Sequence, residues 1–116
     1  MSVNKVILLG NVGRDPQVRY VGTRPVAEFT LATSERVRAR EGEQTPATER
    51  TEWHRIVTWD ANASIAERYI RKGSKIYVEG KLRTRTWEDR NTIKHTVTEI
   101  YADVIELLSR PAGESQ

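Results

Sequence analysis

From Ser74 to Asp89 the chain reads SKIYVEGKLRTRTWED, and its side chains alternate with the two-residue period of a β-strand. Ile76, Val78, Gly80, Leu82 and Thr84 fall on one side, apolar or small. Tyr77, Glu79, Lys81, Arg83, Arg85 and Trp87 fall on the other. Arginines meet phosphates and stack on bases, and a tryptophan offers its π-face to any base. A strand that is apolar behind and carries Arg-x-Arg-x-Trp in front suits a charged polymer with flat rings. The expectation is that the rest of the chain curls this strand into a barrel and sets further aromatics beside it.

The remaining segments fit that expectation. Val3 to Asn11 reads as a first strand, apolar on both faces through Val6–Leu9, which is the pattern of a strand covered twice, a partner subunit being one candidate cover. Gly10 and Gly13 suggest a bend or bulge. QVRYV (Gln17 to Val21) is a short extended piece between turns. Val26 to Ser34 is the second strand, with Ala27, Phe29, Leu31 and Thr33 opposing Val26, Glu28, Thr30 and Ala32. Glu35 to Arg50 is polar and reads as a mobile loop in which Arg36, Arg38 and Arg40 either track a polyanion or form a solvated run offset by Glu35, Glu41 and Glu43. Thr51 to Trp59 is the third strand. The period then changes to helical from Asp60 to Gly73, with Ile65, Ala66, Tyr69 and Ile70 on one face, Asp60 or Asn62 as N-cap, and Gly73 just past the end. The opening stretch is strand four, EDRN a hairpin tip, and Thr92 to Leu108 strand five. Residues 1–108 form one domain and 109–116 a short disordered tail. Periodicity alone supports an all-β barrel or sandwich with one helix between strands three and four.

At 116 residues the chain is long enough for one core and not for two. Its net charge of +3 is weak evidence for a polyanion partner. Position says more, because the basic residues of the second half are interleaved with Trp53, Trp59, Tyr69, Tyr77 and Trp87. With no cysteine there is neither a disulfide nor a thiolate metal site. The N-terminus lacks a signal-peptide layout, and no stretch approaches the roughly 20 apolar residues of a membrane helix. A cytoplasmic protein is expected.

Catalytic constellations are missing from the sequence. His54 and His95 lie far apart, and there is no HExxH, GxSxG or Walker-type glycine loop. The chain is not expected to be an enzyme, nor to need a cofactor or a metal. The tryptophans carry more. Trp53, Arg55, Val57 and Trp59 share parity, so an aromatic and cationic row lies on one face of strand three, unless the two rings instead fill the core as large aromatics more often do. Trp87 ends a run too polar for a core. His54 points away from that row and reads as a hydrogen-bonded structural or interface histidine; Tyr69 reads as core, and Tyr20 and Tyr101 stay unassigned.

VNKVILLGNVGRDPQVRY, TLATSE, TEWHRIV and YIRKGSKIYVEGKLRTRTWED, with the last strand, together resemble the bacterial single-stranded DNA-binding proteins of replication and repair. The resemblance runs from about Val3 to Leu108. It implies a five-stranded OB-fold barrel with one helix between strands three and four. It implies sequence-tolerant binding of single-stranded DNA, protecting it in replication, recombination and repair, by a nucleoid-associated homotetramer. Bases would stack on Trp53, Trp59 and Trp87, and phosphates would meet Arg55, Lys72, Arg83 and Arg85. Subunits would pair partly through the first strand, at Val6 and Leu8, with His54 also at an interface. Members often carry a further aromatic where this chain has Val37. The family's acidic, hydrophobic tip does not appear after Leu108, so recruitment of replication and repair proteins is not carried over. Rival readings are a dimeric OB-fold primosome component or RNA-binding relative, an OB-fold nuclease domain, and a barrel that binds only proteins.

Overall fold

The computed structural model describes residues 1–37, 42 and 48–109. Its elements run β1 (Val6–Val12), β2 (Gln17–Val21), β3 (Arg24–Val37), β4 (Thr48–Trp59), α1 (Asp60–Tyr69), β5 (Lys75–Glu88) and β6 (Lys94–Ser109). The sheet order is β1-β5-β6-β4-β3-β2, and a further β1–β3 pairing closes five of the strands into a barrel. All pairings are antiparallel except β4 with β6. The expected barrel with a single helix is therefore present, the helix following the third barrel strand, β4. QVRYV is a sixth strand, hairpinned onto the first half of β3 through a turn in which Gly22 takes φ +64°.

Closure happens where β1 crosses β3, with Asn11 facing Ala32 and Val12 facing Leu31. A side chain at Gly10 would put its Cβ 2.1 Å from the Ala32 carbonyl oxygen, so only glycine lets the two backbones meet. The core is the inward parity of each strand: Ala27, Phe29 and Leu31 from β3, Ile56 from β4, Ile76 and Val78 from β5, Ile100 and Ala102 from β6. Truncating Phe29 to alanine would cost about 3–5 kcal/mol on these grounds.

β6 changes parity part-way. Glu79 faces Val104, but the next residue, Gly80, faces Ala102, so Asp103 is an extra residue on β6. The bulge lets Ile105 pack against the core on one side of it and Ala102 and Ile100 on the other.

The helix is shorter than expected, and its buried face keeps the expected Ala66 and Ile70 but takes Ala63 in place of Tyr69. It ends at Tyr69, and the residue at its N-cap is Trp59, which makes no side-chain capping bond. Asp60, at φ +55°, is instead forked by Arg24, and Asn62 donates to the Asp103 carbonyl at 3.0 Å. Ala63, Ala66 and Ile70 form the buried stripe, which leaves Tyr69 on the flank and exposed rather than in the core. Arg71 donates to the Glu67 and Ile70 carbonyls at the helix end. Gly73, at φ +91°, hydrogen-bonds Val12 and ties this end to β1.

The expected loop over 35–50 is partly strand. Glu35 faces Arg50, Arg36 faces Glu49 and Val37 faces Thr48. Cross-strand pairs of opposite charge favour this extension of the hairpin, which periodicity could not register in so polar a segment. Arg38, Arg40, Glu41 and Glu43 lie outside the described residues, as does the expected tail beyond Ser109.

Candidate nucleic-acid interface

Three neighbouring strands turn the same kind of side chain outward. On β4 the outward residues are Trp53, Arg55, Val57 and Trp59; on β6 they are His95, Val97, Glu99 and Tyr101; on β5 they are Lys81, Arg83, Arg85 and Trp87. Register joins them, since Val57 faces Tyr101, Lys81 faces Tyr101, Arg83 faces Glu99, Arg85 faces Val97 and Trp87 faces His95. The result is one continuous sheet surface of rings and guanidinium groups. Val57 is the buried member of the β4 row, while Trp53 is 60% and Trp87 46% exposed.

Each ring is held by something specific. Trp53 rests on Gly13, where a Cβ would come within 2.4 Å of the ring, so this glycine is the seat of the indole. The Trp87 ring stacks on His95, with centroids 4.5 Å apart and planes 21° from parallel. His95 is held in turn by Asp89, Nε2 to Oδ2 at 2.8 Å. Asp89 also accepts the Asn91 and Ile93 amides at 2.8 and 3.0 Å, which makes it the organiser of the hairpin tip. The His95 contact, then the two amides, hold its carboxyl below the usual aspartate value. The Arg24 guanidinium lies 4.6 Å from the Trp59 ring centroid and is fixed there by its fork to Asp60. Arg83 lies 5.4 Å over the Tyr101 ring. Such cation–π contacts are worth about 0.5–1 kcal/mol at exposed sites and mainly order the partners. Between Trp59 and Tyr101 runs a groove of about 560 Å³, bordered by Arg24, Lys81 and Arg83.

Not every expected phosphate contact is equally free. Arg85 is forked onto the buried Glu99 at 2.8 and 3.3 Å, and Arg55 stands 4.0 Å from the same carboxylate. Arg83 and Lys81 are exposed beside them. Lys72 lies off the sheet, in the turn after α1. Its amide donates to Asp15 at 2.8 Å, two residues along from the Gly13 that seats Trp53, so it borders the Trp53 end of the surface.

Sequence reading missed Tyr101, Arg24, Glu99 and His95. Alternation in KHTVTEIYA would have put Glu99 and Tyr101 outside opposite Ile100, but placing them beside Lys81 and Arg83 required the register. Arg24 reaches Trp59 only because β3 and β4 pair with Val26 against Trp59. Tyr20 is exposed on β2.

A second surface lies apart from this one. Val6 and Leu8 pack against the core, so the outward apolar pair of β1 is Ile7 and Leu9, 60% and 51% exposed. Strict alternation explains the shift, because a barrel strand with one face inside can offer a partner only the other. His54 is half-buried, its Nε2 2.8 Å from the Thr33 hydroxyl, and borders a depression of about 480 Å³ with Ile7, Leu9, Arg50 and Glu52. Among the described residues no three histidines, cysteines or carboxylates gather as a metal would require, and no helix is long and apolar enough to cross a membrane.

The geometry agrees with what the chain is similar to. It is 50% identical over 115 residues to a single-stranded DNA-binding protein of Bacteroides thetaiotaomicron, covering 97% of this chain and 70% of that one. It superposes with a TM-score of 0.83 and 36% identity on the Plasmodium falciparum SSB in complex with ssDNA, covering 94% of this chain and 97% of that one. Residues 3–108 match the model of the single-strand binding protein family, a family of non-enzymatic DNA-binding proteins, and the chain belongs to that family.

Proposed function

We propose that this protein binds single-stranded DNA with little regard for sequence, by stacking bases on Trp53, Trp59 and Trp87 and by pairing phosphates with Arg55, Lys72 and Arg83, with Arg85 held beside them. The observation that carries the reading is the outward row shared by β4, β6 and β5, in which rings and cations alternate on one surface. Base stacking is worth about 1–3 kcal/mol per base and tolerates any sequence, because every base has a π-face. Family membership supports a role in protecting single strands during replication, recombination and repair, as a homotetramer in the cytoplasm at the nucleoid. The outward Ile7 and Leu9, with His54 beside them, are the surface through which subunits pair.

The test is a titration of the full chain with poly-dT at two salt concentrations, followed by tryptophan fluorescence. Quenching that saturates, with affinity falling as salt rises, is the expected result. No quenching, or equal affinity for duplex DNA, would refute the reading. A preference for poly-rU over poly-dT would move it to RNA.

A further inference from the structure

Among the described residues the only buried charged side chain is Glu99, 1% exposed, and it sits on the cationic face rather than in the core. A carboxylate removed from water is costly unless paired and hydrogen-bonded. Here Oε1 accepts from Arg85 Nε at 2.8 Å and Oε2 from Arg85 Nη2 at 3.3 Å, with Arg55 Nε 4.0 Å from Oε2. Arg83 lies opposite Glu99 in register. The fork takes two donors of the Arg85 guanidinium and fixes its plane. Stability alone does not account for an acid at this place, since well-packed apolar residues often replace such pairs without loss. What the acid does is remove one unit of charge from the middle of a surface that meets polyanions, and decide which arginine is free.

We propose that Glu99 is a positioning residue of the strand-binding face: it clamps Arg85, with Arg55 drawn in beside it, so that Arg85 offers a fixed plane for a base and little free charge for a phosphate. Arg85 and Trp87 then form two successive flat groups on β5, while Arg83 and Lys81, with Arg55 and Lys72, keep the phosphates. The proposal rests on the single-strand binding reading.

The full chain and two variants are titrated with poly-dT over a salt series, with thermal melting run in parallel. Glu99→Gln keeps the shape and removes the charge. Its log–log salt dependence steepens by about 0.7, the value of one added phosphate contact, so its advantage over the parent grows about fivefold for each tenfold fall in salt. A slope equal to the parent's, or shallower, overturns the clamp. Arg85→Met/Glu99→Gln removes the pair as a neutral unit and leaves no buried charge unpaired. Its slope stays at the parent's value while binding weakens at every salt. A slope shallower by about 0.7 means that Arg85 itself met a phosphate, and overturns the proposal. Should Glu99→Gln fail to fold, the double variant decides alone. A parent that leaves poly-dT unbound overturns the function reading and the clamp with it; a parent that binds, with the variant slopes contrary to these, overturns the clamp only.

Discussion

The outward face of β4, β6 and β5 and the outward face of β1 both display large apolar groups, yet they are built differently. On the first, every ring has a neighbour that orients it: Gly13 under Trp53, His95 against Trp87, Arg24 over Trp59, Arg83 over Tyr101. Cations fill the spaces between. On the second, Ile7 and Leu9 stand on the strand as bare aliphatic groups, with Lys5 nearby but paired to Glu79 at 2.7 Å. Rings spaced by charge match a ligand that alternates base and phosphate. Aliphatic groups with charge of both signs only at their border, at Arg50 and Glu52, match another protein surface. Exposure alone does not distinguish the two; the company each apolar group keeps does.

The strongest way to break that contrast is to charge the β1 face. Ile7→Glu/Leu9→Glu should collapse the proposed homotetramer, expected at four times 13.3 kDa, toward single chains, read by light scattering. If the mass is unchanged while poly-dT binding falls, the two surfaces have been given each other's work. Next in size is the stacking side: Trp53→Ala should cost about 1–3 kcal/mol of affinity at any salt, with melting nearly unmoved. A large drop in melting with binding intact would make Trp53 a structural ring. Smaller again is Arg83→Ala, which should flatten the log–log salt plot by about 0.7. An unaltered slope would leave Arg83 as a partner of Tyr101 and nothing more.

The smallest effect concerns the tip that backs Trp87. Because the folded value of Asp89 is lowered, its contribution is present above the ordinary aspartate value and is lost as pH falls through the lower, folded one. The Asn91 and Ile93 amide resonances should thus hold their positions at pH 5 and shift only in stronger acid. Movement of both while free aspartate would still be charged would show that Asp89 does not organise the tip.

Much of this was legible in the chain itself. Alternation in VAEFTLATS and in KIYVEG sorted the side chains onto two faces, and the core residues Ala27, Phe29 and Leu31, and Ile76 and Val78, each share one of them; RTRTW announced its own exposure, because a run that polar has nowhere else to go. Tyr69 went wrong because the buried stripe runs through the small residues Ala63 and Ala66 to Ile70, which leaves the Tyr69 position on the flank. The hairpin arms at 35–37 and 48–50 went unread because their stability lies in cross-strand charge pairs. Such pairs have no period along one strand. Tyr101, Glu99 and Arg24 belong to the site through pairing between strands, and one strand's sequence does not contain its neighbour's register.

Asp103 makes that dependence concrete. A β-strand is written in a two-letter frame, in and out, and the extra residue in β6 is a frameshift retained in the finished fold. Upstream of it, from His95 to Ala102, outward residues belong to the polymer surface and inward ones to the core. Losing a single residue there would exchange the two sets, sending Tyr101 inward and Ile100 out. Length change in this segment should therefore be tolerated only in steps of two, or in a single step accompanied by loss of Asp103.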